Sequence, residues 1–226
     1  MEAIGAASSV VAEAVRDHRS ILDRIRDGQD LGAFLKTSLL GSAVGAAMFG
    51  MALGSFAHSL PQLVISTVKM PILLLGSAGL CFPAFFVLQT LVAPNPLDLA
   101  RALSLQASAL LGAGIVWGSM APPAMFLIAT SSDYPFSQLL ALGIGGLGGL
   151  VAVVRLLQGY LRLCGTGWHP KSLVLLLGYG IVFGMVGAQL SWVMRPFVGS
   201  PTMPPTLFRN LQGNIFTAIL HLLGMV

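Results

Sequence analysis

From Leu31 to Val226 apolar residues run in long blocks, and the only acidic residues are Asp98 and Asp133. Five blocks, at about residues 37–57, 70–93, 104–130, 136–158 and 171–194, are apolar on every face. A spanning helix needs about 20 mainly apolar residues to cover a hydrocarbon core of roughly 30 Å, and each block meets that length. Barrel strands would alternate over about 10 residues; these blocks do not. The pattern predicts an all-α fold, a polytopic transmembrane bundle of about five spans with an N-terminal and a C-terminal amphipathic helix. Residues 1–34 are expected to form a cytoplasmic helix and 35–195 the bundle. Residues 196–226 should be a linker followed by an interfacial or re-entrant helix.

The segment 8–28 differs from the rest. Val11, Val15, His18, Leu22 and Ile25 recur at spacings of three and four, the stripe of an amphipathic helix. Arg16, Arg19, Arg24 and Arg26 alternate with Glu13, Asp17, Asp23 and Asp27 over the remaining surface. A helix that lies on lipid is usually strongly basic on its polar face. This one is nearly balanced, which favours docking on a partner protein or a neighbouring copy through Val11, Val15, Leu22 and Ile25. Gly28 is placed to end it. In the tail, Phe208, Leu211, Ile215, Ile219 and Leu222 repeat at helical spacing, but Arg209, Asn210, Gln212 and Asn214 make a sixth span marginal.

Composition narrows the class. At 9% charged residues and a mean hydropathy of +0.85, a water-soluble fold would leave too much apolar surface in water. The net charge is +4, and its distribution gives an orientation. With the N-terminus inside, the inner segments collect Arg16, Arg19, Arg24, Arg26, Lys36, Arg101, Arg155, Arg162 and Lys171. The outer ones keep Lys69, Arg195 and Arg209. The positive-inside rule therefore predicts a cytoplasmic N-terminus and a C-terminus on the opposite side, as in a bacterial inner membrane. No compact apolar run precedes a cleavage site in the first 30 residues, so the first span is expected to direct insertion.

Glycine is the strongest local signal. Gly41 and Gly45, then Gly50 and Gly54, form two GxxxG pairs in the first span; Gly145 and Gly149 form one in the fourth, and Gly180 and Gly184 one in the fifth. Small residues four apart let helix backbones approach closely, within one chain or between copies. Breaks are also marked. The prolines of Ala93–Asp98 end the second span, and Asp98 can cap the next helix. Pro122 and Pro123 must disturb the third span, as a packed kink or as the lining of a pore.

Chemistry is sparse. No HExxH, GxSxG or carboxylate pair on one helix face is present, and the four histidines are scattered. The chain is expected to be no enzyme, with no metal, no cofactor and no nucleic-acid partner. Cys81 and Cys164 read as lipid-facing or packed thiols. Lys69 and Arg101 fall at the ends of apolar blocks, where snorkelling suffices, so no ionisable group is expected at the centre of a span.

The five-span plan with a polar cytoplasmic N-terminus, the segment Lys69-Met-Pro-Ile-Leu-Leu-Leu entering the second span and the proline-interrupted third span resemble Yip1-type membrane proteins over about residues 35–195. That resemblance implies a scaffold or accessory role in membrane complexes, and it carries no site residue. The expected function is a scaffold or accessory subunit that contacts membrane lipid and works as a homo-oligomer or within a larger complex. The alternative is an oligomeric small channel or permease with the third span lining the path.

Overall fold

Proline and glycine set the helix boundaries here more sharply than charge does. In the computed structural model, Pro61 is the second residue of a helix that starts at Leu60, where its missing N–H would have had no helical partner. That helix then continues through Lys69 to Val92. The structure describes residues 12–13, 18–93, 95–131, 133–165 and 170–199, the side chains of His18 and of 170–176 excepted. Six helices follow in order: α1 (His18–Asp27), α2 (Leu31–Gly54), α3 (Leu60–Val92), α4 (Leu99–Thr130), α5 (Tyr134–Leu163) and α6 (Pro170–Met194). A 3₁₀ turn at Ser55–Ala57 links α2 to α3. No strand occurs among the described residues.

Among the described residues five segments are long and apolar enough to cross a membrane: Leu31–Ala57, Leu60–Val92, Leu99–Thr130, Tyr134–Leu163 and Leu177–Met194. The architecture is that of a multi-pass membrane protein. Large apolar side chains such as Leu80, Leu91, Phe126 and Leu142 stand exposed around the bundle. Serines and glutamines such as Ser38, Ser66, Gln62 and Gln89 are buried inside it. That inversion suits a hydrocarbon solvent. The first four spans start earlier than the apolar blocks suggest, because the helices carry on through Lys36, Lys69 and Arg101 instead of stopping at them.

Local signals explain the connections. Gly28, at φ +72°, ends α1, and its N–H and that of Gln29 return to the carbonyls of Ile25 and Arg24. Asp98 Oδ1 accepts from Arg101 N at 3.3 Å, capping α4. The Gln89 side chain closes the α3–α4 loop: its Nε2 donates to Leu97 O and its Oε1 accepts from Leu97 N, both at 2.9 Å. Asp133 caps α5 through Phe136 N.

Helix α2 is the centre of the packing, with α3 on one side and α4 on the other. Helix α5 then packs on α4, and α6 on α3, while α5 and α6 touch only lightly. Phe49 and Trp117 meet at 5.6 Å between ring centroids in the middle of the bundle. Trp117 Nε1 donates to Ile144 O at 3.1 Å, tying α4 to α5. Helix α1 lies across one end of α4 and α5. Helix α4 is one continuous helix through Pro122 and Pro123. Both prolines face outward, and they are separate from the cavity between α4, α5 and α6.

Candidate functional site

Close backbone approach is used on one side of the bundle and left unused on the other. A Cβ built on Gly45 would fall on the carbonyl of Gly114, and one on Gly50 would fall on that of Ser66. At Gly54 the added atom would lie 2.6 Å from Leu63 Cα. Gly45, Gly50 and Gly54 are therefore the seam of α2 against α4 and α3, and Gly41 is half-buried. The partner on α4 is a further pair at the same spacing, Gly114 and Gly118, which the sequence analysis passed over. A Cβ on Gly118 would sit 3.4 Å from Gly45 Cα.

The other two pairs behave differently. Around Gly145, Gly149 and Gly184 an added Cβ meets nothing within 4 Å, and at Gly180 it meets only Val153 Cγ1 at 3.6 Å. Gly143, Gly146 and Gly178 also face open space. On α5 the glycine that packs inside the chain is Gly148, against the Trp117 ring. It sits about 100° around the helix from Gly149, so the predicted pair points away from α4. The bundle thus presents glycine faces on α5 and α6 that no helix among the described residues covers.

Lys69 is where the structure departs most from the sequence reading. It is the tenth residue of α3 and only 4% exposed, not a snorkelling group at a span end. Its Nζ donates to Met194 O at 2.8 Å and to Pro196 O at 3.3 Å, so it caps the C-terminus of α6. One helical face of α3 continues the contact. Ser66 Oγ donates to Phe197 O at 2.6 Å, and Gln62 Nε2 donates to Ser66 Oγ at 3.2 Å. Gly199 lies so near Gln62 and Ala57 that a Cβ would come within 2.8 Å of both. Residues 195–199 are strapped along α3, and Arg195 lays its guanidinium 3.6 Å from the centre of the Trp192 ring. The signal available in the sequence was Ser59-Leu60-Pro61, a helix start nine residues before Lys69.

At the opposite end, α1 buries Ile21, Leu22 and Ile25 against the chain's own helices. Leu22 packs among Leu105 and Tyr160, and Ile25 among Phe34 and Leu111. Their apolar stripe is therefore covered from within, whereas Val11 and Val15 lie outside the described residues, as does the tail from Leu207. Polar bonds fix the docking: Arg101 Nε donates to Ile25 O at 3.2 Å, and Arg26 Nη2 to Arg162 O at 3.1 Å. Glu13 accepts from Ser20 Oγ and pairs with Arg24 at 3.6 Å.

Reactive groups do not gather. Among the described residues no three of His, Cys, Asp or Glu come together as metal ligands. Cys164, just past α5, is 1% exposed, and burial pushes its thiol up to about 11. A raised value keeps the thiol protonated at neutral pH, and the thiolate is the reactive form. Maleimide at pH 7 is expected to leave Cys164 unmodified in the folded protein and to label it after denaturation in SDS. Rapid native labelling, read by intact mass, would mean that α1 does not cover this end. No protein-family model matches this chain, and no curated protein or solved structure is similar enough to it to carry a comparison, so its role rests on the residues described above.

Proposed function

We propose that this chain is a scaffold or accessory subunit of a membrane complex, which assembles through the outward glycine faces of α5 and α6. One observation supports the reading above the rest. Gly145, Gly149 and Gly184 have open space where α2's glycines have backbone. Glycine in a helix interior costs about 0.5–1 kcal/mol relative to alanine, a cost that close packing against another helix offsets in a membrane. In this reading the seam of α2 builds the subunit, and the outer faces receive a partner or a second copy. The N-terminus is cytoplasmic, and Arg195 with Trp192 anchors the opposite surface.

The test is the mass of the complex in mild detergent for the wild type and for a variant carrying Gly145→Leu, Gly149→Leu and Gly184→Leu. The wild type is expected in an assembly larger than one chain, and the variant as a folded single chain. An assembly of unchanged mass in the variant would sink the reading. Under the alternative, an oligomeric channel, copies would meet with Pro122 and Pro123 toward a shared path. Liposomes would then pass ions, and Pro122→Ala with Pro123→Ala would alter that flux.

A further inference from the structure

The arginines at the α1 end of the bundle are not treated alike. Arg24 pairs with Glu13 at 3.6 Å, and Arg101, at the start of α4, pairs with Asp98 at 3.8 Å. Arg26 and Arg162 have no such partner. Arg26 stands two residues after Arg24 and so on the other side of α1, where its Nη2 donates to Arg162 O at 3.1 Å. Its guanidinium therefore lies against the very residue from which the Arg162 side chain springs. Both residues are exposed, and neither makes an ion pair among the described residues.

Two neighbouring cations weaken the contact they sit on unless an anion lies between them. A guanidinium carries five N–H donors, and paired donors of this kind match the oxygens of a phosphate. The place favours the phosphate of a lipid. Arg162 lies in the last turn of the span Tyr134–Leu163, the level at which a spanning helix leaves hydrocarbon for headgroups. Behind it on α5, Gln158, Val154 and Leu150 stand exposed at successive steps of four. One polar group followed by two apolar ones is the order in which a headgroup and its chain would meet them.

We propose that Arg26 and Arg162 form a headgroup site for an anionic phospholipid, whose phosphate lies between the two guanidiniums and whose acyl chain follows Val154 and Leu150. The lipid clasps α1 to α5, so the docking of α1 depends on the anionic lipid in the leaflet at that end of the bundle. The phosphate site is thirteen residues from Gly149, about 20 Å along the helix.

The experiment is native mass spectrometry of the full chain in detergent, with phosphatidylglycerol and phosphatidylcholine of identical acyl chains added in competition. Identical chains cancel, so the ratio of the two bound lipids reports the headgroup alone. The wild type is expected to favour phosphatidylglycerol. Arg162→Gln, which keeps the bond from Arg26 to the backbone carbonyl, should reduce that preference by about 5-fold, and adding Arg26→Gln should bring it near parity. Arg162→Lys, which keeps the charge, should retain most of it. Arg24→Gln removes the same charge from a residue already paired with Glu13 and should change the preference by less than about 2-fold. Hydrogen exchange reads the clasp: phosphatidylglycerol should slow exchange at the amides of 18–27 in the wild type and not in Arg162→Gln. Equal binding of the two lipids by the wild type, equal losses from Arg24→Gln and Arg162→Gln, or displacement of the lipid by glycerol phosphate would overturn the inference.

Discussion

Replacing Gly45 with alanine is expected to destabilise the bundle by about 3 kcal/mol or more, far out of scale with one added methyl group. The new Cβ would fall on the Gly114 carbonyl, 2.5 Å from its carbon and 2.8 Å from Gly114 Cα. Backbone cannot rotate away as a side chain can, so α2 and α4 would have to move apart. That separation would loosen the Phe49–Trp117 contact and the buried alanines around it, in a core that tolerates little empty space. Gly118→Ala is the internal control, since its Cβ would stand 3.4 Å from Gly45 Cα and needs only a small adjustment. Gly145→Ala meets open space and should leave stability unchanged or slightly raised. Unfolding by SDS titration, followed by circular dichroism, ranks the three. A Gly45→Ala protein as stable as the wild type would mean that α2 and α4 do not cross at this point.

The second large effect is expected at Lys69. Lys69→Met keeps much of the aliphatic stem but leaves the carbonyls of Met194 and Pro196 without their shared donor. Bonds to a charged donor contribute about 1.5–3 kcal/mol each, and the two share one ammonium, so a loss of about 2–4 kcal/mol is expected. The loss should be local first. Ser66 still holds Phe197, but the end of α6 is no longer capped, and the segment 195–199 should open to protease before the bundle unfolds. Limited proteolysis in detergent reads this directly. If cleavage within 195–199 is no faster in Lys69→Met, the ammonium does not hold the strap.

Hydropathy made the five spans legible because burial in lipid demands the same thing of every span, a long run without charge. It misjudged their starts for a physical reason. Lys36, Lys69 and Arg101 interrupt hydrophobicity, but they do not interrupt backbone hydrogen bonding, and both Lys69 and Arg101 found carbonyl partners in another element. Glycine spacing was equally visible in four pairs, yet spacing alone does not say which face meets a neighbour. Gly45, Gly50 and Gly54 became the seam of α2, while an atom added at Gly145, Gly149 or Gly184 meets nothing among the described residues. Pro122 and Pro123 looked like a break, and α4 absorbed them on its outer surface.

The bond between Lys69 and Met194 also sets an order of events during synthesis. The two residues are 125 positions apart, so a ribosome adding about 5–20 residues per second needs roughly 6–25 seconds to bring the second after the first. Throughout that interval the nascent second span carries an ammonium whose carbonyl acceptors do not yet exist. The half-made protein lacks the carbonyls of Met194, Pro196 and Phe197, to which Lys69 and Ser66 donate in the finished one. A truncated chain that stops before Met194 would lack both carbonyls for good, so the contact between α3 and the end of α6 belongs only to the finished chain.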